Sequence, residues 1–323
     1  MKLKVFLKTK NGNPPPDFRM KKFILPALVI AVFAGSRLAG HLLAPHAPPP
    51  ANEIPPGEGG RPPHARIVSL SPSITETLFA LGLGEKVVGI SNYCSYPPEA
   101  QNLDRIGCRY YPNYERIVAL RPDLVVMQEI HDEARQALSR LVPDIMVVSH
   151  ASLDGVVDSI TAIGTRCDAR EKAYEIVRDI QQRLSNVRHR TATLPRPRVL
   201  VSIGSDSGSG TLSDIYIAGR DGFFDEMLEL AGGTNAYSGP LAYPLISAEG
   251  IISLNPDVII EMATSLELQG LTVEQVRSKW YVLPLVNAMR NDRIYVLTDD
   301  YVNIPGPRFV RTVEDIAAVL HPE

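Results

Sequence analysis

One phrase occurs twice in this 323-residue chain. Residues 114–126 read YERIVALRPDLVV and residues 248–260 read AEGIISLNPDVII. Both follow the frame Glu-x-Ile-x-x-Leu-x-Pro-Asp, and Glu115 and Glu249, Leu120 and Leu254, and Asp123 and Asp257 are each 134 residues apart. A constant offset through a whole phrase requires the fold to contain one unit twice. Locally the phrase is a short helix feeding a strand. Asn113 and Ser247, again 134 apart, are good N-caps, and an acid in the first turn complements the helix dipole. The proline stops the helix, and the apolar run after Pro-Asp reads as a buried strand. This local role is sufficient reason for each glutamate. A second reading is also open: two exposed carboxylates, one per unit, suit a two-fold partner with two basic pockets.

The rest of the chain alternates in the same manner. RIVSL reads as a strand, SPSITETLFALGLG as a helix capped by Ser71 with Pro72 at its first position, and KVVGIS as the next strand. DLVVMQ and DIMVVS are further strands around the amphipathic helix DEARQALSRLV. Residues 153–191 show no strand pattern. Ala173, Ile176, Val177, Ile180 and Leu184 recur at helical spacing there, with a break expected near Gly164 and Cys167-Asp168. After Pro195 the strand–helix rhythm restarts in the same order. The fold class expected is α/β: two β-α-β lobes with parallel central sheets, joined by a single long interlobe α-helix. A helix packed across both lobes resists bending, so only a small closure is expected. The expected boundaries are 65–152 for the first lobe, 153–194 for the interlobe segment and 195–323 for the second lobe.

The N-terminus has a different composition. Seven cations and a single acid precede residue 23, so the remainder of a chain of net charge −3 carries −9. An acidic body argues against a nucleic-acid partner. The basic start runs into FILPALVIAVFA (23–34), twelve apolar residues that fit a secretory signal and are short for a membrane span of about 20. Residues 1–43 are read as a signal peptide or N-terminal anchor, with Met20 a second possible start and cleavage and retention both open. Residues 44–64, APHAPPPANEIPPGEGGRPPH, read as a Pro/Gly-rich tether. The folded part is therefore expected outside the cytoplasm, periplasmic or extracytoplasmic.

An oxidising compartment permits one disulfide among Cys94, Cys108 and Cys167. Cys94 and Cys108 bracket one loop and are the natural pair, against the alternative that all three are free and buried. The seven histidines show no H-x-H or HExxH spacing, so no metal site is expected. GSDSGSGT (204–211) lacks the Lys-Ser/Thr ending of a phosphate loop and reads as a flexible cleft-facing segment. No nucleophile elbow, paired carboxylates or Cys/His pair stands out, so no enzyme activity and no cofactor are expected.

Eight of the twelve tyrosines fall in four loops: Tyr93 and Tyr96; Tyr110, Tyr111 and Tyr114; Tyr237 and Tyr243; and Tyr301. Tyrosine offers a flat apolar face and a hydroxyl at low entropic cost, which suits a large planar ligand; it is also common at loop–core boundaries. In open α/β sheets, ligands bind beyond the carboxyl ends of the strands.

RIVSLSPSITETLFALG, VVGISNYCSYPPEA, YERIVALRPDLVV, GRDGFFDEMLELAGGTNAY and PGPR occur in the order expected of one family. From about Ala65 to Val319 the chain resembles the helical-backbone (class III) periplasmic substrate-binding proteins of ABC importers, and most closely their vitamin B12-binding branch. The resemblance implies capture of a small-molecule ligand between two lobes and delivery to an ABC permease dimer. By match to the motifs, Glu115 and Glu249 inherit the role of pairing with permease arginines. The ligand pocket is implied at Tyr93, Tyr243 and Asp300, with Tyr96 close by and Arg109 and Tyr301 beside them. The chain departs from the pattern where relatives often carry tryptophan, at Arg109 and Tyr243, and where Ile304 replaces an arginine. The implied ligand is cobalamin or a related corrinoid; the alternative is a ferric siderophore or haem, for which Arg109 and Arg308 would meet an anionic chelate. Arg308 also has the simpler reading of holding the PGPR turn.

Overall fold

A computed structural model describes residues 64–108, 110–129, 132–204, 215–220, 222–264 and 266–322. The signal and most of the tether, Arg109 and nearly all of the Gly/Ser segment lie outside the described residues. The chain begins with β1 (Ile67–Ser69), α1 (Pro72–Ala80), β2 (Val87–Ile90), β3 (Asp104–Arg105), α2 (Tyr114–Ala119), β4 (Leu124–Gln128), α3 (Asp132–Ser139) and β5 (Ile145–Val148). These strands form one sheet in the order β3-β2-β1-β4-β5, parallel throughout. The start of α1 follows its sequence signals: Ser71 Oγ accepts from the Ile74 N–H at 3.3 Å and Pro72 opens the helix. Gly82, at φ +76°, turns the chain out of it.

Two helices follow, α4 (Leu153–Arg166) and α5 (Arg170–Thr191), separated where Asp168 takes φ +60°. The interlobe connection is therefore two helices, of which α5, at 22 residues, is the long one. At 1.5 Å per residue it spans roughly 33 Å. Ala173, Ile180 and Val187 are buried along one stripe, with Ile176, Val177 and Leu184 packed beside them against the main core. That core draws on strands of both sheets, from Ile67 and Leu124 to Val199 and Val258.

The second half contains β6 (Arg198–Gly204), β7 (Ile215–Ile217), α6 (Phe223–Leu230), β8 (Thr234–Asn235), β9 (Leu245–Ile246), α7 (Ala248–Leu254), β10 (Val258–Met262), α8 (Leu266–Gln269), α9 (Val273–Ser278), α10 (Asn287–Arg290), β11 (Ile294–Leu297) and α11 (Phe309–Leu320). Its sheet runs β11-β10-β6-β7-β9, with β8 also on β6. The parallel set β11-β10-β6-β8 repeats the order β5-β4-β1-β2 of the first sheet. The sheet is not wholly parallel, which corrects the expectation: β7 and β9 run antiparallel. Only ten residues separate β6 from β7, too few for a crossover helix, so the chain must double back.

The repeated phrase takes the same form in both sheets. Asn113 Oδ1 accepts from the Arg116 N–H, and Ser247 Oγ accepts from the Gly250 N–H, so both short helices are side-chain capped. Arg121 and Asn255, again 134 apart, both take the left-handed conformation, at φ 47° and 43°. The repeated aspartate has its own task. Asp123 accepts from the Ala65 and Arg66 N–H groups at 2.8 and 3.2 Å, and its own N–H donates to Arg66 O. Asp257 accepts from the Arg198 N–H at 3.1 Å and donates to Arg198 O. Each aspartate thus pins the start of the first strand of its sheet, β1 or β6.

Candidate functional site at the strand ends

Tyr93 and Tyr96 follow β2, and Asp300 and Tyr301 follow β11, at carboxyl ends of strands, whereas Tyr243 lies two residues before β9, between Ala242 and Pro244, whose carbonyls accept from the Gly219 and Ile217 N–H groups at the end of β7. Arg308 ties several of them together. Its Nε and Nη2 donate to Glu76 Oε2 and Oε1 at 3.0 and 2.7 Å, and its Nη1 and Nη2 donate to Asp300 Oδ1 and Oδ2 at 2.8 and 3.0 Å. The guanidinium carbon also lies over the Tyr96 ring, 3.5 Å from its centroid, with the Tyr301 centroid at 5.5 Å. Glu76 stands on α1, after the first strand of the first sheet, and Arg308 opens α11, after the last strand of the second. Their ion pair therefore bridges the two halves of the chain, which is more than holding a turn.

The electrostatics follow from burial. Burial pushes the Glu76 carboxyl up, against the pull of Arg308. Burial works against the Arg308 charge, but hydrogen bonds to Glu76 and Asp300 outweigh it and raise its pKa. Glu76 has a legible signal in the sequence: it is a charged residue within a run on α1 where Ser73 to Leu78 are all buried, and a buried charge must have a partner. Beside the cluster lies a recess of about 360 Å³ walled by Phe79, Tyr96, Glu99, Pro307, Glu76 and Arg308. It shares Glu76, Tyr96 and Arg308 with the cluster but not Asp300, and neither Tyr93 nor Tyr243 lines it.

The tyrosines divide. Tyr93 is half-buried, and its hydroxyl pKa is raised by burial and by the neighbouring Cys108. Tyr243 packs against the main core with its hydroxyl out of solvent, and burial holds its pKa well above the ordinary value. Its loop can close because Gly219 carries no side chain: a Cβ there would collide with the Leu241 carbonyl oxygen. Tyr301 donates to Asp315 Oδ2 at 2.9 Å. Tyr114 and Tyr237 pack on the edges of the two smaller cores and serve as filler. Among the expected ligand residues, the described contacts join Tyr96, Asp300 and Tyr301 through Arg308. Tyr93 stands beyond β2 and Tyr243 just before β9, outside those contacts, and Arg109 lies outside the described residues.

Beneath the loops of the first sheet runs a buried polar chain that the sequence reading missed. Gln128 Nε2 donates to Ser73 Oγ at 3.0 Å and lies 2.8 Å from His150 Nδ1, while His150 Nε2 lies 2.8 Å from Ser159 Oγ. Ser159 Oγ donates onward to Val156 O, so it accepts from the histidine, which places the imidazole proton on Nε2. The chain couples the ends of β4 and β5 to α1 and α4.

The expected Cys94–Cys108 disulfide is absent; all three cysteines are free and buried. Cys94 Sγ lies 3.2 Å from Thr75 Oγ1 under α1, and burial pushes its thiol up to about 11. Cys108 sits beside Tyr93 instead. The sulfurs bracket one loop in sequence but face different surroundings. Among the described residues no group of three or more His, Cys, Asp or Glu is arranged to hold a metal ion.

Glu115 and Glu249 are both exposed in the first turns of α2 and α7. The Glu249 carboxyl is held below its ordinary pKa by its own backbone N–H and then by the Ser247 hydroxyl.

The profile of the periplasmic binding protein family matches residues 67–301. The chain belongs to that family. It is 31% identical over 266 residues to an uncharacterized ABC transporter substrate-binding lipoprotein, YvrC, of Bacillus subtilis (strain 168), covering 80% of each chain. Among solved structures it resembles the periplasmic vitamin B12-binding protein BtuF of Vibrio cholerae, at 28% identity and a TM-score of 0.67, covering 80% of this chain and 97% of that one. It resembles equally the periplasmic haem-binding protein RhuT of Roseiflexus sp. RS-1, at 28% identity and a TM-score of 0.66, covering 79% and 97%. The chain is thus a substrate-binding protein of an ABC transporter, and such a protein works with a small ligand and a permease. Its relatives are transport proteins of the periplasm or lipoproteins, not enzymes. No helix among the described residues is long and apolar enough to cross a membrane.

Proposed function

We propose that this binding protein captures a corrinoid, cobalamin or a close relative, at the strand ends between its two sheets and delivers it to the permease through Glu115 and Glu249. The observation that carries the ligand reading is the state of Arg308. Two carboxylates, Glu76 and Asp300, already engage its guanidinium, so the cluster offers no spare positive charge to an anionic iron chelate. A corrin ring edged with neutral amides asks instead for flat aromatic faces and hydrogen-bond acceptors. Tyr93, Tyr96, Tyr243 and Tyr301 supply the faces, and Asp300 is an acceptor that remains partly exposed. The vitamin B12-binding relatives support the same choice. The RhuT likeness favours haem as the second reading.

Calorimetric titration with cyanocobalamin, a hydroxamate siderophore and haem in parallel tests the ligand. Binding of cyanocobalamin, weakened by Tyr243→Ala, is the expected result. Heat from haem or siderophore alone would replace the corrinoid reading with the second one. For docking, Glu115→Ala with Glu249→Ala should leave ligand affinity intact and abolish uptake; undiminished uptake would remove the glutamates from that role.

A further inference from the structure

The 134-residue offset reaches beyond the glutamates. Val118 and Ile252 are separated by it, and so are Tyr111 and Leu245. All four are exposed large apolar residues, with Val118 at 43% and Ile252 at 42%. Val118 and Ile252 each follow the glutamate by three positions on a helix, which puts them on the same face as the acid. Tyr111 and Leu245 each precede it by four, in the segment that leads into the N-cap. The duplicated fold dictates that equivalent positions share exposure. It does not dictate that they share chemistry. Ala119 and Ser253 are equivalent and both exposed, yet one is apolar and one polar. Scattered exposed apolar side chains need no explanation; two pairs kept apolar at matched exposed positions around matched acids do.

We propose that each lobe presents a three-residue foot, Tyr111–Glu115–Val118 on one and Leu245–Glu249–Ile252 on the other. The partner that fits is a two-fold membrane protein offering, once per half, a cationic side chain bordered by apolar surface. The acid steers and orients the encounter while the flanking apolar groups lose water on contact and hold the complex. The feet are alike but not identical, aromatic plus valine on one lobe and leucine plus isoleucine on the other. This inference rests on the docking reading of the glutamates and adds the apolar contact to it.

The test uses the full chain and its cognate permease complex in nanodiscs, with binding measured at low and high salt. Val118→Ser with Ile252→Ser should weaken binding about tenfold while leaving the salt dependence and the melting temperature unchanged. Glu115→Gln with Glu249→Gln should weaken binding and flatten its salt dependence. Serine variants that bind within about twofold of the parent overturn the apolar contact, whatever the glutamate variants do. Glutamate variants that bind like the parent overturn the acid-docking reading separately. Sedimentation supplies the remaining check: a parent dimer that the serine pair dissociates would assign these residues to self-association and overturn the proposal.

Discussion

The Glu76–Arg308 pair sets up a test in which each single substitution should destabilise the fold and the double substitution should restore most of the loss. Glu76 is 4% exposed and Arg308 13%, and two short charge-assisted hydrogen bonds join them. Removing one partner of a buried pair costs about 3–5 kcal/mol because the other charge stays behind. Asp300 remains on the guanidinium after Glu76→Ala, which favours the low end, about 3 kcal/mol. For a folded part of this size that corresponds to a drop of roughly 6–12 °C in melting temperature. Arg308→Met should cost as much or more. It strands Glu76 and removes the stack on Tyr96, a contact of about 0.5–1 kcal/mol at exposed sites.

The double variant, Glu76→Leu with Arg308→Met, should recover most of this loss. The upward push on the Glu76 carboxyl indicates that desolvation outweighs the pull of the arginine. A buried pair in that condition is often replaced by apolar residues at no net cost. Asp300 loses its partner too, but it is 44% exposed and returns to water cheaply. The assay is urea denaturation followed by circular dichroism, with the interaction energy taken from the double-mutant cycle. A single variant costing under about 1 kcal/mol, or a double variant as unstable as the two singles summed, would refute the reasoning. The first result would mean that the charge is screened, and the second that the groups act independently.

Three further outcomes follow from the geometry. Glu226 Oε2 accepts from the Leu153 N–H at 2.7 Å, and burial raises its pKa above the ordinary 4.5; a raised folded pKa favours the folded state in acid and loses that advantage as pH rises through it, so Glu226→Gln should gain stability relative to the parent between pH 4 and pH 7, and a gap that shrinks would contradict this in denaturant titrations at both pH values. Asp123→Ala and Asp257→Ala should each lower stability by about 1–3 kcal/mol, because each leaves backbone N–H groups at a strand start without their acceptor; urea melts showing both variants within about 0.5 kcal/mol of the parent would dismiss the pinning role. Alkylation of the unfolded, unreduced chain should label all three cysteines, and mass spectrometry finding a single labelled cysteine would restore a disulfide.

What could be read from the sequence was whatever rests on local chemistry repeated at a fixed interval. Asn113 and Ser247 declare caps by residue type, and the Pro-Asp strands declare themselves by apolar runs. The 134-residue offset joined those signals into two related sheets, and the helical spacing of Ala173 to Leu184 placed the long helix between them. The failures share a cause. The antiparallel β7 and β9 depend on strand direction, which residue periodicity does not encode. The Cys94–Cys108 pairing was an argument from loop closure, whereas side-chain direction decides it. Glu76 and Arg308 are 232 residues apart, so no local pattern joins them, although a carboxylate on a buried helix face was a clue that a cation had to arrive from elsewhere.

The ties between the two halves bear on how such a protein signals that it is loaded. Glu76 reaches Arg308 from one half to the other, while the Leu153 N–H reaches Glu226 and Arg183 on α5 donates to both oxygens of Glu314 on α11 at 2.9 and 2.6 Å, tying the interlobe helices to the second half. These contacts lie at different places along the junction, and α5 packs into a core drawn from both sheets. A hinge rotation between the halves would have to break the buried Glu76–Arg308 pair and disturb that shared core. The separation of Glu115 and Glu249 is therefore set by the fold, with little room for a ligand to change it. A permease that reads the two feet thus meets nearly the same spacing in the free and the loaded protein. On the proposed docking mode the feet report the presence of the binding protein, and we expect discrimination between loaded and empty states to come from contacts at the strand-end loops, where Tyr96 and Asp300 sit, and not from the distance between the lobes.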